Sequence, residues 1–418
     1  MNIKKFLALV GLGWGGGSIY VMPYIKYVFY DQQLEIMNIN NTQSGMLVTA
    51  YALVAICIMI PGGAVLDRIK PKTAILASLA ATTLLSLLYT LTLDFRIAIA
   101  IWIGFGFSCG FVYWPAINKA LATVGTAREY GRMFGTYYLF NGVFAAVIEA
   151  VALYMSTQFG DARTNFFWAM MVCTLGSAVG FLLVLLLYKD NISGEEVARS
   201  EDDKFKLTDV TKALKSPTTW MFAIICFCAY TVYSSISYFT PYLTAVHGVT
   251  PETSGVFAVI RSYLFNALAL CGGLIADKIL HSTCRWFLIT YSIALCFIVG
   301  LFLLPDSITP IGAGIYTLAP AAVIMCIYGI RYTVMRELDI PKKIMGTVIG
   351  CSATVSWTPD LFMHSMYGSW LDKYGVGGYS MIFTYMIICA VILLATVTVA
   401  YRRAKRLGIY EKLKGSAA

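Results

Sequence analysis

The sequence predicts an all-α polytopic membrane protein of twelve transmembrane helices arranged as two pseudo-symmetric six-helix bundles. Three observations predict it: a composition too apolar for water, a series of long uncharged runs, and an internal repeat relating the two halves of the chain. Of 418 residues, 59% are hydrophobic and 13% charged, with a mean hydropathy of +0.72. A water-soluble domain is nearer half apolar and a quarter charged. It could not bury this much apolar surface in its core, so lipid is the expected solvent.

The uncharged runs give the helices. Stretches such as Ala74–Leu93, Ile97–Ala116, Phe167–Tyr188 and Met381–Ala400 carry almost no charge, and about 20 such residues cross the hydrocarbon core as a helix. The alternation of a lipid-facing barrel strand is missing, and unbroken apolar runs favour helices, which close their backbone hydrogen bonds internally. Approximate spans fall at 5–29, 43–65, 73–93, 97–120, 132–157, 166–188, 217–244, 253–276, 285–304, 311–335, 345–366 and 378–401. The first follows two lysines, as a signal peptide would, but it runs on to Phe29 with no Ala-x-Ala cleavage site and reads as a retained span. The eleven cysteines lie mostly inside apolar runs, which predicts free thiols rather than a disulfide framework.

Charge gives the topology. With the N-terminus cytoplasmic, all but six of the 31 Lys and Arg residues fall on the cytoplasmic side. Arg96, Arg163 and Lys373 fall outside, and Lys26, Arg261 and Arg331 fall within spans. This positive-inside bias predicts both termini in the cytoplasm of a bacterial-type inner (plasma) membrane. The net charge of +9 is spread over short loops and the basic tail, so it marks topology and does not form a nucleic-acid-binding patch. The one long polar stretch, 189–216, divides an N-terminal bundle (1–188) from a C-terminal bundle (217–402), and a basic tail (403–418) follows.

The repeat ties the halves together. Gly62-Gly63-Ala-Val-Leu-Asp67-Arg68 ends the second span, and Gly272-Gly273-Leu-Ile-Ala-Asp277-Lys278 ends the eighth, 210 residues later. Met133-Phe-Gly135-Thr136 and Ile344-Met-Gly346-Thr347 open the fifth and eleventh spans at an offset of 211. Two anchors with nearly the same shift at matching helix ends identify a six-plus-six duplication. With Gly-x-x-x-Asp-Arg between its second and third helices, the chain resembles the major facilitator superfamily over essentially its whole length. It departs from that family's motif at Lys70 and Pro71, and its second copy keeps only Gly273, Asp277 and Lys278. The resemblance implies alternating access between two rocking bundles around a midplane site. In physical terms, Gly63 lets a neighbouring helix approach closely, and Asp67 can accept N–H groups at a helix start. Arg68 can hold carboxylates or lipid phosphates. Together with Asp277, these residues read either as a gate latch or as simple topology markers.

Ionic groups at membrane depth cost roughly 2.5–3.5 kcal/mol each on insertion scales, so the few present need partners or a wet cavity. Glu149 shifted by 211 positions gives Asp360, so the two carboxylates are pseudo-symmetric. Each lies about 21 Å along its helix from the Gly-Thr that opens it. Glu149 has no evident basic partner at its level in the first half. It can therefore take up a proton on one side and release it on the other, with Asp360 as a second candidate; the alternative for both is a hydrogen-bonded structural role. Arg261, about 24 Å from the cytoplasmic end of the eighth span, can bind a carboxylate, phosphate or sulfonate through its planar fork or can pair with Asp360. Lys26 can snorkel toward the interface; family members that carry organic phosphates have a similarly placed basic residue that binds the anion. Arg331 is expected to reach the cytoplasmic interface, and His364 could share the proton of Asp360.

Tyr113, Trp114, Tyr263 and Trp357 fall on helices that, by the resemblance, surround the central path, and Asn266 can hydrogen-bond a solute or another helix. Helical spacing turns Tyr263 to a different face from Arg261. Gly11-x-Gly13-x-x-Gly16 matches a dinucleotide fingerprint in form only; inside an apolar span it permits close helix packing instead. No Gly-x-x-x-x-Gly-Lys motif, metal cluster or nucleophile–base pair emerges, so no enzyme activity, metal or cofactor is expected. The expectation is a monomeric secondary transporter in membrane lipid that couples import of a small organic anion (a carboxylate, sugar acid or sugar phosphate) to a proton. The alternatives are an anion exchanger, a multidrug exporter, or a transporter-like membrane sensor that binds solute without flux.

Overall fold

The computed structural model describes residues 3–66, 68–125, 129–190, 214–305, 307–338, 340 and 345–410. Its helices are α1 (Ile3–Ile19), α2 (Tyr30–Met37), α3 (Asn41–Leu66), α4 (Pro71–Thr92), α5 (Phe95–Phe105), α6 (Tyr113–Val124), α7 (Tyr130–Met155) and α8 (Ala162–Leu187). After the 189–216 stretch come α9 (Pro217–Ser235), α10 (Phe239–His247), α11 (Pro251–Ser262), α12 (Leu268–Leu274), α13 (Thr283–Gly300), α14 (Pro310–Tyr328), α15 (Met345–Trp357), α16 (Met363–Tyr374) and α17 (Gly377–Arg406). Among the described residues nine helical stretches are long and apolar enough to cross a membrane, and a bent pair, Pro251–Ala267 with Cys271–Ile279, makes a tenth. The first span, α1, is shorter at 17 residues. The eleventh is broken after Trp357 by a 3-10 turn over Thr358–Leu361, where Pro359 withholds an N–H from the helical ladder. The twelve spans of the fold class are thus accounted for.

Local chemistry sets the helix ends. Pro71, Pro217, Pro251 and Pro310 occupy first-turn positions, where the missing N–H costs nothing. Asp94 accepts N–H groups from Arg96 and Ile97 at 2.8 and 3.1 Å, and Asp161 accepts that of Thr164 at 2.8 Å. These are N-caps that satisfy otherwise orphaned donors. Large apolar side chains face outward, Leu84 at 68%, Leu186 at 71% and Leu303 at 77% exposure, as expected where the surrounding solvent is hydrocarbon.

The residues gather into two compact units. Unit one comprises Met1–Ala198 with Thr250–Leu264 and Asp360–Lys373, and unit two comprises Arg199–Val249, Phe265–Pro359 and Tyr374–Ala418, in each case the described residues within those bounds. In unit one, α1 packs on α7 and α8, α4 on α8, and α3 on α5. In unit two, α9 packs on α15 and α17, α13 on α17, and α12 on α14. Numbered by span, the second set repeats the first six positions on, which is the internal duplication expressed as packing.

The glycines of the repeat show why it persists in three dimensions. A Cβ on Gly62 would collide with the carbonyl of Phe111, and one on Gly272 with the carbonyl of Cys326. Each glycine therefore marks backbone-to-backbone contact of the second span of its half with the fourth. The glycine-rich first span behaves likewise: a Cβ on Gly17 would lie 2.6 Å from the Asn141 carbonyl oxygen.

Candidate functional site

Unit one holds most of the ionic groups singled out in the sequence: Lys26, Glu149, Arg261 and Asp360, with Tyr113, Trp114 and Tyr263. It does so because two segments from beyond residue 217, Thr250–Leu264 and Asp360–Lys373, group with the first-half helices. Thr250 opens α11 by accepting the N–H of Thr253, and Pro251 fixes its first turn. Gly255 then lets α11 lie close on α7, since a Cβ there would stand 2.5 Å from the Leu153 side chain.

That contact brings Tyr263 to Glu149. Its hydroxyl donates to Glu149 Oε1 at 3.1 Å. Glu149 is fully buried, and its second oxygen, Oε2, has no hydrogen-bond partner among the described residues. Arg261 is buried in the same unit at 1% exposure. Tyr263 is the C-cap of α11, its N–H donating to the Val259 carbonyl at 3.0 Å before the chain enters a 3-10 turn over Leu264–Ala267.

A second cluster gathers around Asp360. His364 Nε2 lies 3.4 Å from Asp360 Oδ1, and Tyr24 donates to Oδ2 at 3.4 Å. Tyr24 packs against Tyr51 at 5.4 Å between ring centroids, and Tyr27 faces His364 at 6.1 Å. Lys26 interacts electrostatically with both Asp360 and His364, and its Nζ sits 5.3 Å above the ring of Tyr30. At 2% exposure Lys26 is enclosed by protein. Asp360 and His364 are four residues apart, the spacing that brings side chains together across one helical turn.

The remaining sequence candidates are dispersed. Tyr113 is buried and meets Tyr20 edge-on at 6.2 Å; Trp114 meets Tyr138 at 6.4 Å. Trp357 closes α15, and Asn266 is exposed in the turn after α11; both belong to unit two. Gly63 lies within α3, next to Gly62, which is in close backbone contact with Phe111. Arg68 is exposed beyond the end of that helix, and Asp67 lies outside the described residues. Asp277 is exposed and stands 3.9 Å from Arg336.

Arg331, expected at an aqueous interface, is instead buried in unit two at 9% exposure. It follows Gly329, where α14 gives way to a 3-10 turn over Arg331–Glu337 that draws the side chain inward. Sequence reading also missed Tyr24 and Glu337. Glu337 is a buried carboxylate that accepts from the Thr283 and Cys284 N–H groups at the start of α13, from Ser282 at 2.9 Å and from Tyr410 at 2.6 Å. The Arg336-Glu337 dipeptide looks like an ordinary loop ion pair, so no local signal marks that role.

Comparisons with known proteins agree with this architecture. The sequence profile of the Major Facilitator Superfamily matches residues 6–358. The chain is 27% identical over 391 residues to the inner membrane protein YihN of Escherichia coli, covering 92% of each chain. It is 22% identical to the inner membrane protein YqcE of the same organism, over 89% of this chain and 88% of the relative. Among solved structures, it resembles a bacterial homolog of the human lysosomal transporter Spinster, with a TM-score of 0.73 at 14% identity over 99% of both chains. It also resembles the nucleoside transporter NupG, with a TM-score of 0.70 at 12% identity over 96% of this chain and 99% of that one.

Proposed function

The chain belongs to the Major Facilitator Superfamily and is a multi-pass membrane transporter, and from that premise we propose that it imports a small organic anion together with a proton. The observation that carries this reading is the buried Glu149, bonded by Tyr263 at 3.1 Å with its other oxygen unpartnered among the described residues, in the same unit as the buried guanidinium of Arg261. A guanidinium enclosed at membrane depth favours a carboxylate, sulfonate or phosphate, which it can receive through two parallel N–H donors. A carboxylate enclosed in the same unit can carry a proton in one direction and return empty. In this reading Lys26, Asp360 and His364 form a second ionic group on the same path, and Asp360 shares the coupling role. Tyr113, Trp114, Tyr263, Trp357 and Asn266 line the route of the solute. Gly63, Asp67, Arg68 and Asp277 belong to the cytoplasmic gate, whose opening and closing gives alternating access. We place both chain ends in the cytoplasm, following the basic loops and tail, and the protein in a bacterial inner membrane, as its curated relatives are named.

The test is uptake into proteoliposomes of a panel of carboxylates, sugar acids and sugar phosphates, with and without an inward proton gradient. The reading expects anion uptake stimulated by the gradient, lost in Arg261→Ala and made insensitive to pH in Glu149→Gln. Uptake and pH dependence unchanged in both variants would refute it. Uptake of neutral solutes alone would refute the anionic substrate.

A further inference from the structure

Unit two contains a buried cation that no part of the proposed mechanism uses. The guanidinium of Arg331 lies against two aromatic rings, its Cζ 4.0 Å from the centroid of Tyr328 and 4.4 Å from that of Tyr332. Both rings are held from behind. Tyr328 stacks on Tyr233 at 3.8 Å with an interplanar angle of 7°, and Tyr332 packs against Phe222 at 6.1 Å. The polar edge of the guanidinium is partly engaged. There Nη1 donates to the Tyr328 carbonyl at 3.0 Å and Nη2 to the Tyr332 hydroxyl at 3.2 Å, while Nε is buried with no acceptor among the described residues.

A second buried donor is also left open. Tyr291, on α13, which packs against the Arg331 turn, is fully buried, and its hydroxyl has no partner among the described residues. It lies within electrostatic range of Arg331. Among the described residues no carboxylate forms an ion pair with Arg331; nearby Glu337 is engaged by the start of α13 and by Tyr410, and Asp277 lies beside Arg336. Cation–π contact offsets part of the desolvation of a buried guanidinium but neither neutralises it nor satisfies its remaining N–H donors. Two buried donors left open beside one unneutralised positive charge are what an oxyanion requires, and a preassembled aromatic cage lowers the ordering cost of binding one.

We propose that Arg331, with Tyr291, is an anion-recognition site inside the second half, taking the carboxylate, sulfonate or phosphate group of a transported solute. Arg331 Nε–H and the Tyr291 hydroxyl supply the hydrogen bonds, and Tyr328 and Tyr332 pack against the guanidinium. The proposal rests on the reading that the solute is an organic anion. A purely structural Arg331, stapling the break at Gly329, has no use for the Tyr291 hydroxyl.

The experiment titrates purified full-length protein in detergent with glucuronate, glucose 6-phosphate, methanesulfonate and neutral glucose, following thermal unfolding, with parallel uptake assays. We expect at least one anion to raise the Tm of the wild type. Tyr291→Phe should raise the apparent Kd and the KM for that anion severalfold while leaving the ligand-free Tm unchanged, and Arg331→Lys should weaken binding tenfold or more. An anion that stabilises and is carried by the wild type, yet titrates identically in Tyr291→Phe and Arg331→Lys while Arg261→Lys weakens it, would overturn this site and leave the anion reading standing. Binding and uptake of glucose alone would overturn both. Should Arg331→Lys fold poorly, Tyr291→Phe decides.

Discussion

The Tyr263 hydroxyl donates a 3.1 Å hydrogen bond to Glu149, joining residues 114 positions apart across the two halves of the repeat. The bond ties the residue after the end of α11 to a carboxylate in the fifth span. The candidate coupling group is therefore built from both halves of the sequence inside one compact unit.

Glu149 and Tyr263 should separate chemistry from stability. Glu149→Gln keeps the shape and a hydrogen-bond acceptor for Tyr263, so it should retain counterflow exchange while losing stimulation by a proton gradient. Tyr263→Phe removes one hydrogen bond, about 1 kcal/mol, and should slow coupled uptake by roughly fivefold with little change in Tm. Counterflow and gradient-driven uptake, measured side by side, check both.

Asp372 should act as an acid-sensitive clamp. It accepts from the Asn41 and Thr42 backbone N–H groups at 3.0 and 2.9 Å and from their side chains, capping α3 from the end of α16. Partial burial raises its pKa, but the hydrogen bonds from Thr42 and Asn41 outweigh it and leave the carboxyl below its ordinary value of 3.8. The folded state thus binds the proton less readily than the unfolded one. Its contribution to stability is complete above the ordinary value and is lost as pH falls through the folded value. The Tm advantage of wild type over Asp372→Asn should be constant above about pH 5 and shrink in stronger acid. An advantage that grows on acidification would contradict this.

Glu337 should be a structural keystone of unit two. Replacing it with alanine strands the buried N–H groups of Thr283 and Cys284 and the Tyr410 hydroxyl, at about 1–3 kcal/mol for each group left unsatisfied. Tyr410→Phe removes a single bond and should cost about 1 kcal/mol. Thermal unfolding in detergent should rank Glu337→Ala well below Tyr410→Phe.

The repeat glycines give a prediction of opposite signs. Gly62→Ala and Gly272→Ala each drive a methyl into a backbone carbonyl, which cannot rotate away, and should cost about 1–3 kcal/mol or more. Gly135, the repeat glycine of the fifth span, has open space at its Cβ. Gly135→Ala should therefore be neutral or stabilising by up to about 1 kcal/mol, the helix-propensity difference. Monodispersity and Tm of the three variants test this together.

What the sequence by itself determined is what depends on composition and period: lipid as solvent, the spans as helices, and the duplication visible in Gly62 and Gly272. Those properties are summed over many residues, so no single break in a helix disturbs them. It also identified the rare ionic groups, because each costs too much at membrane depth to be incidental. Only the tertiary structure decided which of them meet. Tyr263 reaches Glu149 because Gly255 lets α11 lie close on α7; Asp360, already paired with His364 by its four-residue spacing, also meets Tyr24 of the first half; Arg331 turns inward where α14 gives way to a 3-10 turn. Side-chain direction follows from 3.6-residue spacing only while a helix continues. At Arg331 the helix stops, and for Tyr263 and Asp360 the partner comes from a distant segment that no local spacing names.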